Sequence, residues 1–281
     1  MPKTQKPAFK SILLWLCAVS IVIFFLSPIL WQVLTSVKFN EDISAIPTVY
    51  FPKRITLEHY RELFARRPFA LYIFNSAWVS LVSTLLCLAL GSPAAYALAR
   101  LKLPGENFIL AAVSIVTLFP YVLLFLGLLE VIRALGLGNN YLALIVPYTA
   151  INLPLTILVM RSFFQQLPKD LEDAAKVDGY KMLPMLLKIV LPMTLPALVT
   201  TGILAFIFAW NEYIFALTFI TRDTMKTIPV ATAQLSGTTI FDVPYGAIAA
   251  ATVLGTFPLV ILVLVFQRRI VQGLTAGAVK G

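Results

Sequence analysis

Residues 172–192 carry the stretch with the most chemistry in it: Glu172-Asp173-Ala174-Ala175, a glycine at 179, then Ile189-Val190-Leu191-Pro192. Adjacent carboxylates can make charge-assisted contacts, and alanines beside them let another backbone come close. That is chemistry for docking, not for breaking bonds. Reaction chemistry has little to work with elsewhere. His59 is the only histidine and sits in no ligand pattern, so no metal site is expected. Cys17 and Cys87 both fall in apolar runs and are expected to be small buried hydrophobes. No His, Cys or Ser constellation assembles a nucleophile and base, and no glycine-rich phosphate loop ending in Lys-Ser or Lys-Thr occurs. The chain is expected to bind no cofactor and to be no enzyme.

The elements that must position the acidic block can be read locally. Pro168 suits a first helical position, Asp170, Glu172 and Asp173 put negative charge in the first turn, and Gly179 can take the positive φ that ends a helix. A helix over about 168–178 is predicted, with Leu171, Ala174 and Ala175 on one face. A second helix from Tyr180 carries Met182, Met185, Leu186 and Ile189, apolar enough to brace the first, and Leu191-Pro192 opens the next segment.

Around this block the chain is far too apolar for water. Of 281 residues, 59% are hydrophobic and 12% charged, and the mean hydropathy is +0.89. Charge-free runs at Ser11–Val37, Pro68–Ala99, Asn107–Leu129, Ala134–Met160, Ile189–Asn211 and Val243–Gln267 each suffice to cross a hydrocarbon core. The expectation is an all-α membrane protein with six spans at roughly 11–36, 69–99, 107–129, 140–160, 193–219 and 244–267. The polar helix-turn-helix at 161–192 then lies outside the bilayer, with a tail at 268–281. The formal charge of +9 could point to nucleic acid, but the 22 basic residues sit between spans and not along one face. An even number of spans puts both termini on one side, and the basic residues divide 13 to 9 in favour of that side being the cytoplasm. The run after Lys3, Lys6 and Lys10 exceeds the apolar core of about 7–15 residues of a secretory signal and is expected to remain as the first span.

The spacing Asp173, Ala174, Ala175, Gly179, Ile189, Leu191, Pro192 resembles the cytoplasmic coupling loop of ABC importer permeases, with Asp173 where that family has Glu and Glu172 one place earlier. The blocks Asn75-Ser76, Ala95–Leu101, Phe208–Glu212 and Gly246–Ala250, and the small, basic tail Gln267–Gly281, resemble the second permease of maltose- and trehalose-type carbohydrate importers. The resemblance implies a type I importer fold in a bacterial inner membrane. It implies a second, different permease, two ATP-binding subunits that hold ATP and Mg, and an extracytoplasmic sugar-binding protein. It further implies that Glu172, Asp173, Ala174, Ala175 and Gly179, with Gln272, Gly273, Thr275 and Lys280 of the tail, couple this chain to the ATPases, whose closure on ATP rocks the spans.

Polar groups inside spans are costly and therefore informative. Trp210, Asn211, Glu212 and Tyr213 are candidates for contact with a sugar, by ring stacking and paired hydrogen bonds. An interhelical hydrogen bond is the competing account. Asn75 and Asn152 have weaker claims, and Glu130 and Arg133 are expected to pair. Leu57, Tyr60, Leu63 and Phe64 recur at helical spacing, with Glu58, Glu62 and Arg66 on another face, which predicts a short interfacial helix. The hydroxyl-rich loop with Gln234, Ser236, Gly237 and Thr238 is either a plain connector or, by the resemblance, a probe into the binding protein's cleft. A secondary transporter driven by an ion gradient would need ionisable residues at mid-membrane and an internal repeat, and neither is visible. A scaffold without transport would not need the acidic block.

Overall fold

A computed structural model describes residues 8–235 and 243–278, with side chains for 11–235 and 243–267. Among the described residues all regular structure is helical. In chain order the helices are α1 (Ala8–Ser36), α2 (Asn40–Ile43), α3 (Glu58–Arg66), α4 (Phe69–Arg100), α5 (Glu106–Leu118), α6 (Phe125–Ala134) and α7 (Leu142–Gln166). There follow α8 (Lys169–Val177), α9 (Met182–Met185), α10 (Leu191–Met193), α11 (Leu195–Asn211), α12 (Ile214–Phe219), α13 (Ile228–Ala233) and α14 (Tyr245–Ala278). Four helices are long and apolar enough to cross a membrane, or six segments if each of two sharply bent helix pairs is one span.

The run expected as one span over 107–129 turns by 90° between α5 and the helix that starts at Tyr121. The cause is local. Pro120 has no N–H to donate, and it drives Phe119 to an extended conformation, with ψ 131. The second bent pair joins the 182–193 segment to α11 at 84°, and the expected fifth span, 193–219, is interrupted again at Glu212 and Tyr213.

The chain divides into two compact units, residues 1–68 with 232–256, and residues 69–231 with 257–281. In the first, every described side chain of α1 from Ser11 to Val33 is exposed, as befits a helix that is apolar all round and faces lipid. Cys17 lies on that exposed surface, contrary to the expected burial. Beyond α1, Ser36 and Tyr60 share a 2.8 Å hydrogen bond, and the predicted helix α3 carries its Glu62–Arg66 pair at 2.8 Å. His59 is buried, with Nε2 2.8 Å from the Lys38 carbonyl, and its ring lies where a Cβ on Gly246 would stand. It is a packing residue. Lys38 is buried as well, its ammonium donating to the Val49 carbonyl and lying 4.1 Å above the Trp31 ring.

The second unit is built on α4, α7 and α11. Small and hydroxyl residues line their contacts, as expected where lipid offers no hydrophobic drive and close packing must hold helices together. Cys87 Sγ lies 3.1 Å from Thr156 Oγ1, Thr149 Oγ1 donates to the Ser83 carbonyl at 3.3 Å, and a Cβ on Gly91 would stand 2.6 Å from Thr156 Cγ2. Gly91→Val should therefore wedge α4 from α7 and destabilise by about 1–3 kcal/mol. Thermal unfolding in detergent checks this, with Gly127→Ala as the control, since a Cβ there meets nothing within 4 Å.

Candidate functional site

The acidic block forms α8, one residue shorter at each end than predicted, with Pro168 as the flanking residue before its first turn. Its end is fully specified. Gly179 has φ +82, Tyr180 N donates to the Ala175 carbonyl at 3.0 Å, and Gly179 N donates to the Lys176 carbonyl at 3.0 Å. These are the paired bonds of a Schellman stop, which satisfies carbonyls that the helix leaves open.

The adjacent acids Glu172 and Asp173 of α8 have different surroundings. Glu172 is buried: Oε1 accepts from Arg100 Nε at 2.6 Å and Oε2 from the Tyr96 hydroxyl at 3.0 Å. The Arg100 and Glu172 side chains are 7% and 8% exposed, and Arg100 also donates to the Leu167 carbonyl at 2.7 Å. Asp173 faces outward and pairs with Lys176 at 2.9 Å. The predicted shared face divides as well, because Ala175 is buried while Leu171 and Ala174 are exposed and Val177 is 88% exposed. Ala175 belongs to a buried cluster with Tyr96, Met160, Phe164, Met185, Leu186 and Val190. The expected brace by Met185 and Leu186 is present, whereas Met182 and Leu183 stay exposed.

A second arginine works beside the first. Arg161 Nε donates to the Leu98 carbonyl at 3.1 Å, and its terminal nitrogen pairs with Glu106 at 2.8 Å. Neither arginine is given a role from sequence, where Arg161 counts only as charge and Arg100 as charge and as part of the Ala95–Leu101 block. The available signal was position, since Arg100 closes a long charge-free run one helical turn beyond Tyr96.

The second candidate group sits at the break between α11 and α12. Trp210 is buried and stacked on Phe206, with centroids 5.6 Å apart. Glu212 is buried, and its carboxylate accepts from Phe215 N at 2.9 Å, Ala216 N at 3.1 Å and the Tyr148 hydroxyl. It thus caps the first turn of α12 and ties it to α7, which is the interhelical account. Asn211 is exposed and donates to the Ile207 carbonyl at 2.8 Å, and Tyr213 is 37% exposed. Tyr121, from the bend after Pro120, meets Phe208 and Phe215 edge to face at 5.2 and 6.0 Å. Of the four sequence candidates, Asn211 and Tyr213 present an open surface.

The remaining candidates are structural or lie elsewhere. Asn75 donates to the carbonyls of Thr224 and Lys226, both at 2.9 Å, and accepts from Tyr141 at 2.6 Å. Ser76 accepts from Ile228 N at 2.8 Å, so this pair pins the 221–228 loop onto α4. Asn152 donates to the Tyr148 carbonyl within its own helix. Glu130 and Arg133 are both exposed, and no ion pair joins them among the described residues. Gln234 is exposed just after α13. Ser236, Gly237, Thr238 and Lys280 lie outside the described residues. Gln272, Gly273 and Thr275 belong to the helical backbone of α14, their side chains not described. No group of three or more His, Cys, Asp or Glu gathers as a metal site among the described residues.

Residues 87–276 match the family of binding-protein-dependent transport system inner membrane components. The chain is 42% identical, over 91% of its length and 89% of the relative's, to the sulfoquinovosyl glycerol transport system permease protein SmoH of Agrobacterium fabrum. It is 40% identical to the trehalose transport system permease protein SugB of Mycobacterium tuberculosis, covering 93% and 94% of the two chains. It is 39% identical to the trehalose/maltose transport system permease protein MalG of Thermococcus litoralis, covering 99% of each. Among solved structures it resembles a chain of a bacterial ABC transporter that imports the acidic polysaccharide alginate, with a TM-score of 0.80 at 22% identity over 95% and 99% of the two chains.

Proposed function

This chain belongs to the family of binding-protein-dependent transport system inner membrane components, and we propose that it forms half of the pathway by which a di- or oligosaccharide, or a sugar-like solute, crosses the membrane. It is a multi-pass permease subunit of a carbohydrate ABC importer, not itself an enzyme. In the proposed assembly it pairs with a second, different permease and receives its cargo from an extracytoplasmic sugar-binding protein. Two separate ATP-binding subunits hold ATP and Mg and do the hydrolysis. Both ends of the chain and α8 face the cytoplasm, in line with the distribution of basic residues.

The observation that carries the reading is the two-sided build of α8. Its inner face is fastened by Glu172 and Ala175, while Asp173, in its pair with Lys176, and Ala174 and Val177 are exposed on the outer face, with Leu171 exposed at its edge. A short helix with a defined stop and an exposed outer face is a knob for a cleft. Seated in an ATPase, such a knob moves when the cleft closes on ATP. In this proposal Gln272, Gly273, Thr275 and Lys280 reach the ATPase interface, Asn211 and Tyr213 meet the sugar, and the loop from Gln234 through Ser236, Gly237 and Thr238 meets the binding protein.

The test is reconstitution of the whole importer in proteoliposomes, with trehalose and sulfoquinovosyl glycerol as probe solutes. Uptake is expected to require ATP and the binding protein. Uptake that runs on an ion gradient without ATP would reject the assignment.

Gly179 gives a sharper expectation about α8. A Cβ there meets nothing within 4 Å, so any penalty comes from the backbone alone, about 1–2 kcal/mol for an ordinary residue in the left-handed region. Gly179→Asn should be tolerated, because asparagine visits that region readily. Gly179→Leu should tilt the helix stop and stop transport while the ATPases still co-purify. Normal uptake by the leucine variant would remove α8 from the coupling role.

A further inference from the structure

We propose that Arg100 is a positioning residue for transport: its guanidinium fork locks α8 to the ends of α4 and α7, so that a displacement of α8 reaches both helices as one body. The inference rests on the reading above that α8 is moved by an ATPase.

The geometry is reciprocal. Arg100, the last residue of α4, donates to the Leu167 carbonyl just after α7 at 2.7 Å. Arg161, in α7, donates to the Leu98 carbonyl in the last turn of α4 at 3.1 Å. Each helix thus places a cation on the other's C-terminal carbonyls, where unpaired acceptors and the negative end of the helix dipole coincide. Each arginine spends a second nitrogen on a carboxylate of a further helix, Glu172 of α8 for Arg100 and Glu106 of α5 for Arg161. The Tyr96 hydroxyl holds the other Glu172 oxygen at 3.0 Å.

This arrangement fixes direction more than it supplies stability. A buried ion pair gives back much of its attraction as lost hydration, but a planar guanidinium bonded on two edges sets angles that an ammonium cannot. Without it α8 has little grip, since Glu172 and Ala175 are its only buried residues. An alanine methyl resists sliding poorly. The lock also lies on the face of α8 away from the exposed Ala174 and Val177, so it can be removed without touching that part of the proposed docking surface.

The experiment uses the complete reconstituted importer, this permease with its partner permease, ATPases and binding protein. Spin labels replace Lys169 at the start of α8 and Leu90 on α4, both exposed, after Cys17→Ser and Cys87→Ala. The wild-type lock is expected to give one narrow interspin distance, unchanged between nucleotide-free and ATP-vanadate-trapped states. The paired variant Arg100→Gln with Glu172→Gln buries no unmatched charge. It should keep ATPase co-purification, but its interspin distance should shift between the two states. Uptake of the probe sugar per ATP hydrolysed should fall roughly tenfold, within the range of coupling between distant sites. Arg100→Lys, which keeps the charge but cannot span both Glu172 and the Leu167 carbonyl, should show the same shift, and it decides the matter if the paired variant fails to assemble. An unchanged distance with wild-type uptake per ATP overturns the lock. If the wild-type complex itself shows no ATP hydrolysis in response to the loaded binding protein, it is the reading of function that fails.

Discussion

Glu172→Ala should destabilise the permease by about 3–5 kcal/mol, whereas Asp173→Ala, one residue on, should change its stability by less than about 0.5 kcal/mol. The difference is one of surroundings. Removing the Glu172 carboxylate leaves Arg100 buried with only the Leu167 carbonyl for company and takes the acceptor from the Tyr96 hydroxyl. Removing Asp173 frees an exposed lysine that water already solvates, for the 59% and 68% exposed side chains of that pair gain little from each other. The resemblance to coupling loops assigns both acids to the ATPases and does not distinguish their surroundings. The structure predicts that the double variant matches Glu172→Ala. Thermal unfolding of the purified complex in detergent measures all three. Equal, small losses for the two single variants would mean that Arg100 does not hold Glu172.

The difference between the two acids shows where legibility ends. The start and stop of α8 were readable because a proline, first-turn acids and a left-handed glycine act on their own neighbourhood. Which acid turns inward was not, because neighbouring helical positions differ by about 100° and the choice depends on a partner 72 positions away. The same limit split Ala174 from Ala175. Composition and run length announced a membrane chain, but a count of apolar residues is blind to direction, and so Pro120 inside an apolar run passed unread as the cause of a 90° turn. The break after Asn211 has neither proline nor glycine to mark it. Its only sign was the carboxylate itself, in a place where a carboxylate has to have a purpose.

Glu212→Ala is the other large effect expected. The carboxylate serves three donors at once, the amides of Phe215 and Ala216 and the Tyr148 hydroxyl. Each donor left without a partner in a buried site costs about 1–3 kcal/mol, so the loss should be on the order of 3–5 kcal/mol. Lipid supplies no water to repair the orphaned amides, and α12 should fray from its first turn. Tyr148→Phe should cost less, about 1.5–3 kcal/mol, because Glu212 keeps both backbone partners. Since Glu212 and Tyr148 share one contact, the double substitution should fall short of the sum of the single ones, by about 0.5–3 kcal/mol. Thermal unfolding of the four proteins closes this cycle, and uptake of the probe sugars measured alongside separates the two accounts of the break. A cap predicts that uptake declines with stability in each of the three cycle variants, and the proposed sugar contact predicts that Asn211→Ala, on the exposed side, weakens uptake at unchanged stability. If Glu212→Ala instead lost uptake with full stability, the carboxylate would be a ligand for the sugar, and its bonds to α12 would contribute nothing measurable to the fold.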